Sequence, residues 1–296
     1  MDSAMFTEVE VFTDTPGHGN PAGVVLAPSP VTDVAQRRWA ERVRKPGNGF
    51  LWPAASNAYH ARFHTPGREV GLSGHTALAS AHVTLEGPRQ GASSVTLRSR
   101  TDELVIERES GVLWLTMPRP RLESYEAPLS RIAHALGMEV DGFPVGTAVV
   151  RTGDGDLLLP LAAHVDPVAL TPDFPALAAI ATELGTRGFC IWTQRTIEPT
   201  SQVQSRFFVP HLGLNEDIAT GSVHGPLVAR LWALGRIHAK EALVHLTGEQ
   251  GDALGRPCRL KLELSIDDGA LVRIRVGGAV VTTVAERAVA PGELGD

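Results

Sequence analysis

The sequence predicts an α+β fold built from two similar halves, and three observations carry that prediction. Candidate strands outnumber candidate helices and flank each helix without regular alternation, which argues against a doubly wound parallel sheet. One helix-like segment, Gly74 to Thr84, is apolar on nearly every side through Leu78, Ala79, Ala81 and Val83, and such a helix belongs inside something. The pattern R-F-x-x-P occurs at Arg62 to Pro66 and again at Arg206 to Pro210, each time followed by a polar loop and a buried-looking helix, as an internal repeat requires. A curved sheet around a central helix, made twice, satisfies all three.

Taken in order, Thr7 to Phe12 alternates apolar and polar residues and reads as a half-buried strand. Asp33 to Arg44 has the spacing of a surface helix, capped by Thr32 or Asp33. The segment Pro46-Gly47-Asn48-Gly49 is turn chemistry. Tyr59, Ala61 and Phe63 mark one face of a strand that closes on the first repeat motif. After the central helix come Val95 to Leu97, Leu104 to Ile106 and Val112 to Leu115, all strand-like, and then Pro118-Arg119-Pro120, a crossover to the second half. Ser130 to Leu136, Ala176 to Leu184 and Ser222 to Leu234 read as helices, and Val203, Ser205 and Phe207 as the strand of the second motif. The β-branched run Val280 to Val284 is a final strand.

The repeat places Ser73-Gly74-His75 and Thr220-Gly221-Ser222 at corresponding helix starts. Pro66 to Gly74 spans 8 residues and Pro210 to Gly221 spans 11. A glycine at the start leaves the first backbone N–H groups accessible at the positive end of the helix dipole, where an anion is readily held. A substrate carboxylate is the simplest occupant, in one small-molecule cleft that both elements share.

Bulk properties narrow the function classes. The 296 residues are 43% hydrophobic and 20% charged, with a formal net charge of −6. An ordinary globular protein is expected, without the basic field that a nucleic-acid partner or an anionic membrane demands. Cys190 and Cys258 form no CxxC and read as core thiols. The opening MDSAMFTEVEVF is acidic and alternating, unlike a secretory leader, and no apolar run reaches about 18 residues, so neither a membrane partner nor a location outside the cytoplasm is expected. Asp154-Gly155-Asp156 is read as a turn and not a calcium loop. His18, His60, His64 and His224 are read as polar surface or loop residues and not as metal ligands. No phosphate loop or dinucleotide fingerprint is present, so no nicotinamide or flavin is implied. Ser73 beside His75 lacks a nucleophile elbow and is read as a helix start.

Four blocks carry a family resemblance. Phe63-His64-Thr65-Pro66 through Gly71-Leu72-Ser73-Gly74-His75-Thr76-Ala77-Leu78 resembles the signature of the phenazine-biosynthesis isomerase (PhzF-like) family. Phe12-Thr13-Asp14 with Gly19-Asn20-Pro21-Ala22-Gly23 is similar to that family's opening, Gly213 to Gly225 to its G-x-x-E-D-P-V-T-G-S-A-H-G block, and Gly251 to Pro257 to its G-x-x-x-G-R-P. The resemblance implies a diaminopimelate epimerase-like fold, with two domains that are each a highly curved, mostly antiparallel sheet around a central helix, and a cleft between them. It places residues 1–117 with 280–296 in the first domain and 118–279 in the second. It also implies a cofactor-independent isomerase working by proton transfer on a small carboxylate, in antibiotic or other specialised metabolism, and it allows a homodimer. His75 matches its substrate-binding histidine, Asp217 its second polar active-site residue, and Ser222 with Gly221 its carboxylate-holding helix start; His75 and Asp217 are thus the catalytic candidates here, and Asn20, Ser73, Gly74, Thr220, Gly221 and Ser222 the substrate-binding ones.

One departure stands out. The family's acid/base glutamate lies in an N-L-S-E-T-x-F block, and aligning its phenylalanine with Phe50 puts Gly47 in the glutamate's place. His75 or Asp217 could serve as the base instead, a reactive conjugated substrate could need only positioning, or the fold could bind without catalysing. Loss of the side chain could enlarge the cleft for a bulkier substrate or merely reshape a loop. An epimerase or racemase is the rival enzyme class.

Overall fold

A computed structural model of the chain describes residues 3–54, 58–238, 241–290 and 292–294. It packs as two compact units, Met1–Thr116 with Gly277–Asp296, and Met117–Val276.

In the first unit, β1 (Met5–Val11) and β2 (Asn20–Leu26) form an antiparallel pair. Helix α1 (Asp33–Val43) follows, capped by Thr32, whose hydroxyl accepts from the Ala35 N–H at 3.2 Å. Arg44 ends it in the left-handed region at φ 54°. Pro46 cannot continue a helix, and the chain turns directly into β3 (Gly47–Pro53), parallel to β2. Then come β4 (Ala58–His64), antiparallel to β3, the short β5 (Glu69–Val70), helix α2 (Gly74–Glu86), and β6 (Ser94–Arg98), parallel to β4. Strands β7 (Glu103–Glu109) and β8 (Val112–Thr116) extend the sheet.

Ten of the thirteen α2 residues are buried. The helix touches β1, β2, β3, β6, β7 and β8, which is the wrapped arrangement its all-round apolarity predicts. Strand alternation divides the work of β3. Phe50 and Trp52 face away from α2 and pack with Phe6, Val25 and the α1 residue Trp39, while Gly47 and Gly49 face α2.

The second unit repeats this order. β9 (Leu122–Tyr125) and β10 (Val149–Thr152) pair antiparallel, with α3 (Leu129–Ala135) between them, and β11 (Asp156–Pro160) pairs antiparallel with β10. Helix α4 (Phe174–Leu184) leads to β12 (Gly188–Thr193), parallel to β11 as β3 is to β2. β13 (Val203–Val209), β14 (Leu214–Asp217), α5 (Gly221–Ala233) and β15 (Leu243–Gln250) stand as β4, β5, α2 and β6 do. β16 (Cys258–Asp267) pairs antiparallel with β15, and β17 (Ala270–Gly278) follows. Ile132, Leu157, Leu177, Ile180, Phe189 and Phe208 anchor this unit's core under α3 and α4.

The last strand, β18 (Val280–Ala288), returns to pair antiparallel with β1. His82 of α2 meets Thr282 of β18, Nε2 to Oγ1, at 3.0 Å. The two repeat motifs have the same internal logic. Arg62 lies 3.7 Å from Glu69 across β4 and β5, and Arg206 donates twice to Glu216 across β13 and β14, at 2.8 and 2.7 Å. No helix among the described residues is long and apolar enough to cross a membrane.

Three sequence expectations are corrected. Pro46 to Gly49 is not a turn, since Gly47 to Gly49 form the start of β3 in register with Ala22 to Val24. His64 and His224 are not surface residues, at 3% and 0% exposure. Asp156 is the wholly buried first residue of β11, and only the residues before it form the turn.

Candidate active site

In the first unit, Gly47 and Gly49 lie at the start of β3, against α2. Neither has positive φ, so conformational freedom does not explain either glycine. Close approach does. A Cβ on Gly49 would lie 2.6 Å from Ser80 Oγ, and one on Gly47 would overlap Thr76 Oγ1 and His75 Nε2 and reach 3.1 Å from His75 Cδ2. Positions i and i+2 of the strand thus meet positions i and i+4 of α2, and the helix start seats itself against bare backbone. The space beside residue 47 is filled by imidazole and hydroxyl and not left open, so the deletion does not enlarge a cavity there.

Ser73, Gly74 and His75 come together at this helix start. Ser73 is the N-cap residue, but its hydroxyl does not cap the helix. It meets Thr76 Oγ1 at 2.7 Å and His75 Nδ1 at 3.5 Å, while Thr76 Oγ1 stands 3.5 Å from His75 Nε2. His75 is 9% exposed. Two hydroxyls therefore bracket the ring at both nitrogens. Asn20 is wholly buried at the head of β2. Alternation puts its side chain on the same strand face as Ala22, the register partner of Gly47.

In the second unit, the candidate residues gather at the start of α5. Thr220 leaves its helix without a side-chain cap and instead donates its hydroxyl to Asp217 Oδ2 at 2.7 Å. Gln250 ties both residues: its amide donates to the Asp217 carbonyl at 2.8 Å and to Thr220 Oγ1 at 3.2 Å, and its carbonyl accepts from the Thr220 N–H at 3.1 Å. One turn on, His224 Nδ1 stands 2.9 Å from the Thr220 carbonyl. That contact requires a proton on Nδ1 and leaves Nε2 as an acceptor facing Ser205 Oγ at 3.4 Å. Burial holds His224 down to a pKa of about 4, against hydrogen bonding to Thr220 and the charge of Asp217, which raise it. It is a neutral ring that fixes the first turn of α5, and a Cβ on Gly248 would lie 2.7 Å from its Cδ2.

Ser222 has a partner that sequence reading missed. Arg187, just before β12, donates from Nη2 to Ser222 Oγ at 3.2 Å. Its Nε donates to Asp156 Oδ1 at 2.7 Å, and Nη2 also reaches Oδ2 of that buried carboxylate. Burial opposes the guanidinium charge, but the hydrogen bonds and charge of Asp156 outweigh it and hold the Arg187 pKa above its usual value. A serine oxygen that accepts from arginine keeps its own O–H to donate elsewhere. The start of α5 thus presents backbone N–H groups, a serine proton and a guanidinium together, a donor set suited to a carboxylate.

Arg187 and Asp156 lie 31 residues apart in the chain, beyond any local pattern. The signal that could have found them is the repeat, because Gly188 pairs with Asp156 in the register in which Gly47 pairs with Ala22. Thr76 and Gln250 gave no signal beyond polar character.

Comparison with known proteins gives a consistent picture. The PhzC-PhzF family model, described as phenazine biosynthesis-like protein, matches residues 9–286. A Pseudomonas aeruginosa protein named uncharacterized isomerase PA3578 is 32% identical, with 87% of this chain and 91% of that one covered. The Escherichia coli K12 protein named uncharacterized isomerase YddE is 28% identical, with 92% and 94% covered. In fold, the crystal structure of a Bacillus anthracis phenazine biosynthesis protein of the PhzF family aligns with TM-score 0.86 at 22% identity, over 98% of this chain and all of that one.

Proposed function

The chain belongs to the phenazine biosynthesis-like family, and from that premise we propose that it is a cofactor-independent isomerase. It moves a proton, and with it a double bond, within a small unsaturated or cyclic amino-acid-derived carboxylate. The observation that carries this reading is the position of His75. Its imidazole fills the volume that a side chain on residue 47 would occupy, so a titratable group stands beside residue 47 although residue 47 supplies none. An imidazole, with a free pKa of about 6.5, both takes and returns a proton near neutrality.

In this reading His75 is the acid/base, and Ser73 and Thr76 fix its orientation. The start of α5, with Ser222 and Arg187, binds the substrate carboxylate. Asp217 is the second polar group, its carboxylate oriented by the Thr220 hydroxyl. Asn20, Gly74 and Gly221 are the remaining substrate-binding candidates. The substrate class we favour is an unsaturated cyclic amino acid, such as a pyrroline carboxylate on the way to an antibiotic building block. That pathway reading rests on family precedent.

Incubation with a panel of such carboxylates in D2O, followed by 1H NMR, tests the function. Deuterium at a new carbon with a shifted double bond supports the isomerase. Exchange at one carbon with inverted configuration would make the protein an epimerase or racemase, and saturable binding with no exchange would make it a binding protein.

A further inference from the structure

A cavity of about 190 Å3 lies wholly within the second unit, at the opposite ends of β12 and α5 from Arg187 and Ser222. Ser222 and Arg230 are 8 residues apart on α5, about 12 Å at 1.5 Å per residue. Trp192 near the end of β12, Arg230 in the last turn of α5, Leu234 and Arg236 just beyond it, and Leu158 of β11 are among the lining residues.

Two features of the cavity call for a ligand. Trp192 is 2% exposed, and its indole N–H has no acceptor among the described residues. A buried donor left unpaired is costly, and Trp N–H groups in protein interiors normally find a partner. Arg230 and Arg236 form no ion pair among the described residues. The Arg236 guanidinium instead lies over the Trp192 ring, 5.6 Å from its centroid. An unpaired indole N–H and two arginines therefore line a space whose remaining walls, Leu158, Pro160, Leu234 and the segment 144–148, are apolar except for Thr147.

We propose that this cavity is a second binding site, for a small carboxylate with a flat apolar body. A carboxylate matches the planar fork of arginine and accepts from an indole N–H, while a ring-sized body fits between the apolar walls. The volume is below the roughly 300–1,000 Å3 of drug-sized pockets, which restricts the occupant to about one ring. The site is separate from the α5 start, yet β12 and α5, two of the elements that line it, also lead to that start.

Benzoate is the probe. In 15N-labelled full-length protein, titration should shift the Trp192 indole N–H resonance, identified by its loss in Trp192→Phe, and saturate in the millimolar range expected of a one-ring fragment. Arg230→Ala and Arg236→Ala should each weaken binding at least about 5-fold, Arg236→Lys should weaken it less, and the neutral isostere benzamide should bind at least about 5-fold more weakly. Ser222→Ala should leave the Trp192 shift unchanged, because the proposed site does not use the α5 start. The proposal is overturned by a lack of saturable shift, by unchanged affinity in the Arg230→Ala/Arg236→Ala double variant, by loss of the shift in Ser222→Ala, or by inorganic phosphate binding as tightly as benzoate. None of these outcomes bears on the isomerase reading, which is tested by exchange.

Discussion

Gly47→Ala adds one methyl group at the closest contact between β3 and α2. With no clash, alanine in a strand interior should stabilise the protein by about 0.5–1 kcal/mol relative to glycine, and the φ at position 47 permits it. Here the added Cβ overlaps Thr76 Oγ1 and His75 Nε2. Neither atom is the free end of a long chain: Thr76 is β-branched and held by Ser73 at 2.7 Å, and the His75 ring is rigid. Overpacking of this kind costs about 1–3 kcal/mol, so the sign of the effect reverses. Urea unfolding should show Gly47→Ala destabilised by about 1–3 kcal/mol, with the His75 ring resonances displaced in a 1H–13C spectrum. In a His75→Ala/Thr76→Ala background the same substitution should cost at least about 1 kcal/mol less, the coupling expected of groups in contact. A neutral or stabilising Gly47→Ala, with unmoved ring signals, would refute the claim that His75 occupies the space beside residue 47.

Three other predictions follow from the second unit and its site. His224 has a folded pKa of about 4 against about 6.5 when unfolded. Below pH 6.5 the unfolded chain therefore takes up a proton that the folded one refuses, so this stabilisation is complete above pH 6.5 and is lost as pH falls toward 4. The loss amounts to about 3 kcal/mol at about 1.4 kcal/mol per pH unit. Burial lowers His64 and His82 in the same sense, and His224→Asn should flatten the pH dependence of urea midpoints by its own share. Glu216→Gln leaves Arg206, whose side chain is 7% exposed, buried without its counter-charge, and should destabilise the second unit by about 3–5 kcal/mol in urea unfolding. Once a substrate is in hand, Ser222→Ala and Arg187→Lys should each raise KM about 10-fold, about 1.4 kcal/mol, with kcat changed much less. A fall in kcat at constant KM would move these residues from carboxylate binding into the proton-transfer step.

The parts of the fold that were legible in the sequence were those written locally and twice. The burial of α2 followed from apolar residues on all sides, and the repeat from Arg62-Phe63 and Arg206-Phe207, whose arginines reach glutamates on the following strand in both units. The ends of α1 were legible because Thr32 caps its start and Pro46 lies just beyond its end. What failed was non-local. Glycine in Pro46 to Gly49 was read as turn chemistry, yet Gly47 and Gly49 lie in a strand paired with β2, and a side chain at either would meet a helix 25 or more residues later. His224 looked polar and therefore exposed, yet a helix surrounded by protein buries its polar side chains too, and the Thr220 carbonyl satisfies Nδ1. Asp156 resembled a turn residue because its partner, Arg187, is remote in sequence. The helix starts of the candidate site were visible as motifs, while the residues that orient them, Thr76, Arg187 and Gln250, emerged only from packing.

The central claim is that His75 transfers the proton in place of the missing acidic side chain at position 47. Its most direct test is the rate of solvent-deuterium incorporation into substrate by the wild type, His75→Ala and Asp217→Asn, each confirmed folded by its urea midpoint. The account predicts that His75→Ala loses a factor of about 10²–10⁴, the usual contribution of a general acid/base, while Asp217→Asn loses less. Full exchange in His75→Ala would contradict it.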